Sequence, residues 1–411
     1  MIPPLPHITV VIPTRERADV FQKSLRTCTS QNYDNLTILV SDNFSQDTTK
    51  DIALASGDSR IRYVNTGRRL SMSHNYEYAL SQINDGWITI IGDDDGLLPG
   101  AIGKAAELIR SAGVRALRSD VCLYRWPSLL RKQFGTLDVP LHRGAEIRKS
   151  KEWLHSVLNG LFLYPNLPML YSGGFVAHSL MHEIKSKSGS FYHSCIPDVY
   201  SAFAIASSIE EYLYVLEPLA IDGVSAHSTG TSLVNRAPDS GPALKFLAED
   251  NIPLHSDVPP NSNGHVPLVH QVWIYESYLQ SSFLRDGRNK FSFADQLEVT
   301  LATAGAEAPA VEWCNTFAAQ HKLDWRAISE RAKKRETALT RARRLDRLKR
   351  TMRTHFIAGT SATPLEDVYE ASVVAAQSVA TGRSPRKVAQ GLIQKAASRA
   401  LSKISGSRQA S

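Results

Sequence analysis

The chain has 411 residues, 43% of them apolar, and a net charge of +7, enough to bury a large core across two or three structural units. No run approaches the roughly 18 to 20 apolar residues that span a bilayer, and the first six residues lack the charged and apolar regions of a signal peptide. Cys28, Cys122, Cys195 and Cys314 lie too far apart for a disulfide or zinc framework and read as reduced thiols of a cytoplasmic protein. The charge is uneven. Residues 1–321 hold 27 Lys/Arg against 33 Asp/Glu, residues 322–355 hold 13 against 4, and residues 383–411 hold 7 against none. The front is acidic and the back basic.

Taken in order, Ile8 to Ile12 is an apolar, β-branched run that stops at Pro13, and Val20 to Ser30 has helical spacing. Leu36 to Val40 predicts a second strand, with Ser45 as the N-cap of a helix from Asp47 to Ala55. Ile61 to Val64 is a third strand and Ser73 to Ile83 a third helix. The run from Trp87 to Ile91 is a fourth strand, ending at Gly92 and three successive carboxylates, Asp93, Asp94 and Asp95, before a helix opened by Pro99. Strands separated by helices predict a mostly parallel sheet, whose ligands bind beyond the carboxyl ends of its strands. Thr14, Asp42, Gly67 and the triplet all fall just past strand ends, so they share one nucleotide-sized rim. Like charges raise one another's pKa, and a fold keeps them together for a reason. A hard divalent cation completed by substrate phosphates is the best reason; a solvated turn with a helix N-cap is the plain alternative.

Downstream, Tyr171 to Val176 reads as a strand and His178 to Lys187 as a helix. Pro197-Asp198 opens another helix through Phe203 and Ile205, and Tyr212 to Leu216 is a strand. His227 enters a loop of serines and threonines. Residues 235–267 are rich in Pro, Gly, Ser, Asn and Asp, which suits a lid, an acceptor loop or disorder. Beyond residue 268 the chain reads as helices: Val269 to Leu284, Phe293 to Leu301, Val311 to His321, Trp325 to Phe356, Leu365 to Ala380 and Ser384 to Ile404. In the long basic one, Ala338, Leu339, Ala342, Leu345 and Leu348 form one stripe for packing on a partner. The final basic amphipathic helix can lie on an anionic bilayer; a solvated tail and a helix docked on a neighbouring chain fit it equally.

Thr9-Val10-Val11-Ile12-Pro13-Thr14-Arg15, then Val40-Ser41-Asp42-Asn43-Phe44-Ser45-Gln46-Asp47-Thr48, then Gly92-Asp93-Asp94-Asp95 resemble the three opening signatures of glycosyltransferase family 2. The resemblance implies the GT-A fold: an α/β, Rossmann-like, mostly parallel sheet flanked by helices, here followed by an all-helical C-terminal region. The chain then divides into a transferase domain over 1–234 (nucleotide half 1–100, acceptor half 101–234), a flexible loop or lid over 235–267, a helical region over 268–382 and a basic tail over 383–411. The implied reaction is inverting transfer from a nucleoside-diphosphate sugar, with UDP expected, to a hydroxyl of a glycan or lipid-linked acceptor, as in cell-surface polysaccharide synthesis. Such an enzyme works in the cytoplasm or at the inner face of the membrane, where the tail 383–411 would meet anionic lipid.

By the same resemblance, Pro13, Thr14 and Arg15 hold the nucleoside, and Asp42 accepts a hydrogen bond from the base. Gly67 and Asn75 lie beside the diphosphate, and Asp93 reaches the ribose or a metal-bound water. Asp94, or Asp95 in the alternative register, binds Mn²⁺ or Mg²⁺, with His227 as a further ligand or diphosphate contact. Asp198 is the base that takes the acceptor's proton. Two departures stand out. His74-Asn75 replaces the Arg-Asn of many members, leaving Arg68 or Arg69 for the phosphates, and Gly92 falls where the Asp-x-Asp motif begins. Two other classes compete. A nucleotidyltransferase would need a glycine-rich phosphate loop, and Pro13-Thr14-Arg15-Glu16-Arg17 has no glycine. A nucleic-acid binder using the basic helix at 325–356 would need more aromatic residues for base stacking, so no nucleic-acid partner is expected. Oligomeric state is left open.

Overall fold

In the computed structural model the described residues are 4–127, 135–226, 246, 249–260, 269–285, 291–304, 308–359 and 364–407, the side chains of 308, 309 and 398–407 excepted. Strands β1 (Ile8–Thr14), β2 (Leu36–Asp42), β3 (Ile61–Asn65) and β4 (Trp87–Ile90) pair in parallel in the order β4-β1-β2-β3. Helices Ala18–Thr29, Thr49–Ala55 and Met72–Leu80 connect them. All seven residues of β1 are buried, which is why its sequence is a continuous apolar run rather than an alternating one.

Beyond β4 the sheet becomes mixed. β4 meets β9 (Gly174–Ala177), β9 meets β6 (Ala116–Arg125), and β6 meets β7 (Thr136–Pro140), all antiparallel. β10 (Glu211–Val224) runs parallel to β6 and antiparallel to β5 (Gly96–Leu97) and β8 (Ala145–Lys149). The α/β class holds, with the parallel part confined to the first four strands and to the β6–β10 pair.

Among its described residues the C-terminal region is helical but for one strand. The long basic helix stops at Thr351, and β11 (Thr354–Ala358) pairs antiparallel with β7. His355-Phe356-Ile357 is an aromatic and β-branched run that suits a pleated surface, and an open sheet edge supplies the partner that local helical spacing cannot reveal. Helix Val368–Thr381 returns to the first domain. Tyr124 donates to the Leu365 carbonyl at 2.7 Å, Lys23 pairs with Asp367 at 2.9 Å, and Arg26 covers the Tyr369 ring at 3.9 Å. Helices His270–Gln280, Phe293–Ala304, Ala308–Gln320 and Trp325–Thr351 share a separate cluster around Trp273, Leu297, Trp313, Phe317 and Ile328.

Two local expectations change. Ser45 is not an N-cap; its hydroxyl accepts from the Glu16 N–H at 3.0 Å, while Asp47 accepts from the Thr49 N–H at 3.0 Å where that helix begins. The stripe on the long helix packs only as far as Leu339, which is buried with Ile328 and Ala332; Leu345 and Leu348 are exposed. All four cysteines are free and buried. Among the described residues no helix is long and apolar enough to cross a membrane.

If β11 completes the sheet, Phe356→Ala, at a site 4% exposed, should cost about 3–5 kcal/mol in chemical denaturation. A loss below about 1 kcal/mol would mean that the C-terminal region merely lies against β7.

Candidate active site

The carboxyl ends of three neighbouring strands form the rim. Thr14 is paired with Asp42, and Asp42 with Asn65. The Asn43 N–H donates to the Thr14 carbonyl at 2.9 Å, and the Thr66 N–H to the Asp42 carbonyl at 3.0 Å. Thr14 then reaches the fourth strand's exit, its hydroxyl donating to Asp93 Oδ2 at 3.0 Å. Pro13, Thr14, Asp42 and Asp93 are thereby brought together.

Asp42 is 1% exposed. Its carboxylate accepts from the Ser45 N–H at 2.9 Å, the Tyr63 hydroxyl at 2.5 Å and the Asn65 amide at 3.2 Å. Gly67 sits in the left-handed region at φ 71°, its N–H donating to Asn65 Oδ1 at 2.8 Å. Asn75 is buried and accepts from the Ser41 hydroxyl at 2.9 Å, which ties its amide to β2. Arg15 turns away from the carboxylates to pair with Glu249 at 2.6 Å; Arg69 lies 3.8 Å from the same oxygen. There a cavity of about 330 Å³ opens between Arg68, Arg69, Ser71 and His74 on one side and Glu249 and Asp250 on the other.

The three carboxylates of the triplet have different partners. Asp93 pairs with Arg17 at 2.9 Å as well as with Thr14. Asp94 Oδ2 accepts from the Ser225 hydroxyl at 2.7 Å, and its carbonyl from the Trp126 indole at 3.0 Å. Asp95 accepts two backbone N–H groups, from Gly92 at 2.8 Å and from Gly223 at 2.7 Å. Gly92 has no room for a side chain: a Cβ there would meet the Tyr171 hydroxyl at 2.8 Å and the Asp95 carboxylate at 2.9 Å. That accounts for a glycine where an aspartate was expected.

Across from the triplet, Asp198 begins helix Pro197–Ser208 and accepts from the Tyr164 hydroxyl at 2.5 Å. Tyr76 feels the charges of Asp93, Asp95 and Asp198 together, and Asp222 those of Asp94 and Asp198, so these acids lie within electrostatic reach of one another. His227 lies outside the described residues, as does 235–267 apart from 246 and 249–260.

Three residues here escaped the sequence reading. Arg17 follows Glu16, whose left-handed φ of 54° turns the chain sharply out of β1. Asp222 follows the apolar run Leu219-Ala220-Ile221 near the end of β10, a signal that could have found it; its Oδ1 is buried without a hydrogen-bond partner among the described residues. Arg118 is a charge inside an apolar strand, 3% exposed, donating to the carbonyls of Pro165, Tyr171 and Ser172. It thus fastens the loop carrying Tyr164.

For a cation, the chemistry of the donors suits a hard metal, since all are carboxylate oxygens. Among the described residues no three His, Cys, Asp or Glu side chains converge as a ready-made metal site. Protein ligands numbering one or two, completed by substrate phosphates, are the usual arrangement for Mg²⁺.

The profile described as glycosyl transferase family 2 matches residues 9–138. A GalNAc(5)-diNAcBac-PP-undecaprenol beta-1,3-glucosyltransferase from Campylobacter jejuni subsp. jejuni serotype O:2 is 29% identical over 161 residues, 38% of this chain and 50% of that protein. The match thus spans about half the length of this curated relative. Among solved structures, TarS from S. aureus is similar with a TM-score of 0.44 and 12% identity, over 79% of this chain and 55% of that one. The mannosyltransferase PcManGT from Pyrobaculum calidifontis, in complex with GDP-Man and Mn²⁺, is similar with a TM-score of 0.38 and 15% identity, over 82% and 86%.

Burial pushes Asp93, Asp95, Asp198 and Asp222 above the ordinary carboxylate range; Arg17 opposes the rise at Asp93, and Arg118 at Asp222. A carboxylate raised on folding adds stability that is complete below its unfolded pKa of about 4 and is lost as pH rises through the folded value. The melting temperature should therefore fall between about pH 4 and neutrality. Asp222→Asn should recover ~2 °C or more at neutral pH, and melts that are insensitive to this change would remove Asp222 from the cluster.

Proposed function

We propose that this chain, a glycosyltransferase family 2 protein with a GT-A-type α/β fold, transfers a sugar with inversion from a nucleoside diphosphate, UDP being the expected one, to a hydroxyl of a lipid-linked acceptor. The observation that carries the reading is the bond from Thr14 at the end of β1 to Asp93 at the end of β4. It joins the nucleoside rim to the acidic triplet in one site. The lipid-linked acceptor is supported by the Campylobacter relative, whose name specifies PP-undecaprenol.

Within this reading Thr14 and Asp93 face the ribose, and Arg17 fixes the Asp93 carboxylate. Asp42 acts indirectly: its three donors brace the loop after β2 and shape the nucleoside pocket. The Phe44 ring, 44% exposed beside it, offers a stacking face for the base. Asp94 is the metal ligand we assign, since both Asp95 oxygens are held by backbone N–H groups. Mn²⁺ or Mg²⁺ bound there would neutralise charge on the leaving diphosphate. Arg68 and Arg69 line the cavity at the rim and are the phosphate-facing cations. Asp198 takes the acceptor's proton, and Tyr164 orients it. A raised pKa brings this base closer to neutrality, where proton transfer is most efficient. We assign residues 1–234 to donor and acceptor binding, with His227 as a further contact, and place the enzyme at the inner membrane face.

Calorimetry tests the donor half. Asp94→Ala should abolish Mn²⁺-dependent uptake of a nucleoside diphosphate, and undiminished uptake would displace the metal assignment. Kinetics test the base. Asp198→Asn should leave donor binding intact while transfer falls roughly 10²–10⁴-fold. Because the Tyr164 hydrogen bond lowers the Asp198 pKa, Tyr164→Phe should move the acid limb of the kcat profile to higher pH. A limb that stays in place would mean that another group governs proton removal.

A further inference from the structure

The outer face of the long basic helix, Trp325–Thr351, differs from the rest of the surface. The helix docks through Ile328, Ala332 and Leu339, and farther along Arg343 Nε donates to the Gly160 carbonyl at 2.9 Å, which marks its inner face. Leu345, Leu348 and Met352 are 54%, 55% and 46% exposed. Their i, i+3, i+7 spacing sets them on one stripe, roughly half a turn around the axis from Arg343. Arg341 precedes them on that stripe, Arg344 and Lys349 flank it on either side, and all three are exposed. Among the described residues none of the three has a carboxylate within ion-pair distance.

A second helix, Pro385–Ser407, carries further exposed apolar side chains. It crosses β11 closely, since a Cβ on Gly391 would stand 2.8 Å from the Phe356 nitrogen, and Lys395 pairs with Asp138 of β7 at 2.8 Å. It leaves Leu392 and Ile393 exposed at 40% and 71%, with Arg386 exposed nearby. Arg350 in the last turn of the first helix, Arg353 just beyond it and Arg383 before the second all act on His142. Both helices also pack beside β11, so their adjoining basic ends occupy one region of the molecule.

Each occupant makes a different demand. A solvated face gains nothing from five large apolar side chains in water. Nucleic acid would pair with the guanidinium groups and leave that apolar stripe uncovered. An anionic bilayer takes both, with apolar tips at the acyl boundary and cations among the headgroup phosphates. We propose that the outer face of residues 341–352, together with Leu392 and Ile393, docks the protein on an anionic phospholipid bilayer. This deepens the lipid-linked-acceptor reading, on which it rests only for the reason to be at a membrane. It moves the principal contact from the tail alone to the long helix.

The test is co-sedimentation of the full chain, without donor, with vesicles of phosphatidylcholine alone or mixed with phosphatidylglycerol. The native chain should pellet with the mixed vesicles only, and less as salt rises. Combined Leu345→Ser, Leu348→Ser and Met352→Ser should weaken binding ~10-fold or more, and combined Arg341→Glu, Arg344→Glu and Lys349→Glu about 100-fold. All six positions are exposed, so melting temperatures should not change. No pelleting of the native chain, native-like pelleting of either variant, or a duplex oligonucleotide bound equally by the native chain and the serine variant would overturn the proposal. Vesicle binding without consumption of any nucleotide sugar would sink the transferase reading and leave the docking surface standing; the converse would sink the surface alone.

Discussion

The Asp95 carboxylate, closed on the N–H groups of Gly92 and Gly223, is the constraint from which the site's geometry follows. It joins positions 128 residues apart, tying the exit of β4 to the far end of β10. A hydrogen bond contributes about 0.5–1.5 kcal/mol net, and without this side chain both N–H groups would lose their partner. The approach depends on the glycine, because a Cβ at 223 would sit 1.7 Å from the Asp94 carbonyl oxygen. With β10 held this close, Ser225 meets Asp94 and Asp222 comes within electrostatic reach of Asp198. The apparent redundancy of three successive aspartates resolves into a division of labour. Asp93 is paired with Arg17 and Asp95 is structural. Asp94 accepts from a side chain, the Ser225 hydroxyl.

How far the sequence could be read depends on where each element finds its partner. The first hundred residues alternate buried strands with amphipathic helices, and both periodicities are local, so β1 to β4 and their helices emerge with boundaries off by a few residues. The second half of the sheet is set by long-range pairing. β11 looked like the end of a helix because its residues also fit helical spacing, and only the free edge of β7 decides otherwise. The stripe on the long helix illustrates the opposite error. Amphipathic spacing shows that a face exists, but cannot show that the core ends at Leu339 and leaves Leu345 and Leu348 in solvent.

At the site, motif positions were legible and electrostatic partners were not. Thr14, Asp42 and the triplet could be placed on one rim because strand ends in a parallel sheet share an edge. Which arginine turned inward could not be read, since that depends on the left-handed backbone at Glu16, which sends Arg17 to Asp93 and leaves Arg15 to Glu249. Nor could sequence tell that Asp42 already takes three donors from its own loop. A carboxylate in a motif announces that charge is needed there. It does not say whether the charge meets a ligand or the backbone that shapes the ligand's pocket.

The split between an acidic front and a basic back acquires a physical meaning from this arrangement. A net charge of +7 taken as a single number would favour a polyanionic partner for the whole surface. The buried carboxylates instead gather around the triplet, where burial holds the pKa values of Asp93, Asp95, Asp198 and Asp222 high and a cation would relieve the repulsion among them. The excess arginine and lysine lie on helices distal to that cluster in sequence, and their outward side is partly apolar. Opposite charges at two places can therefore serve two different anionic demands: a diphosphate reached through a metal, and a surface reached through guanidinium groups. A single net charge reports only the difference between the two places.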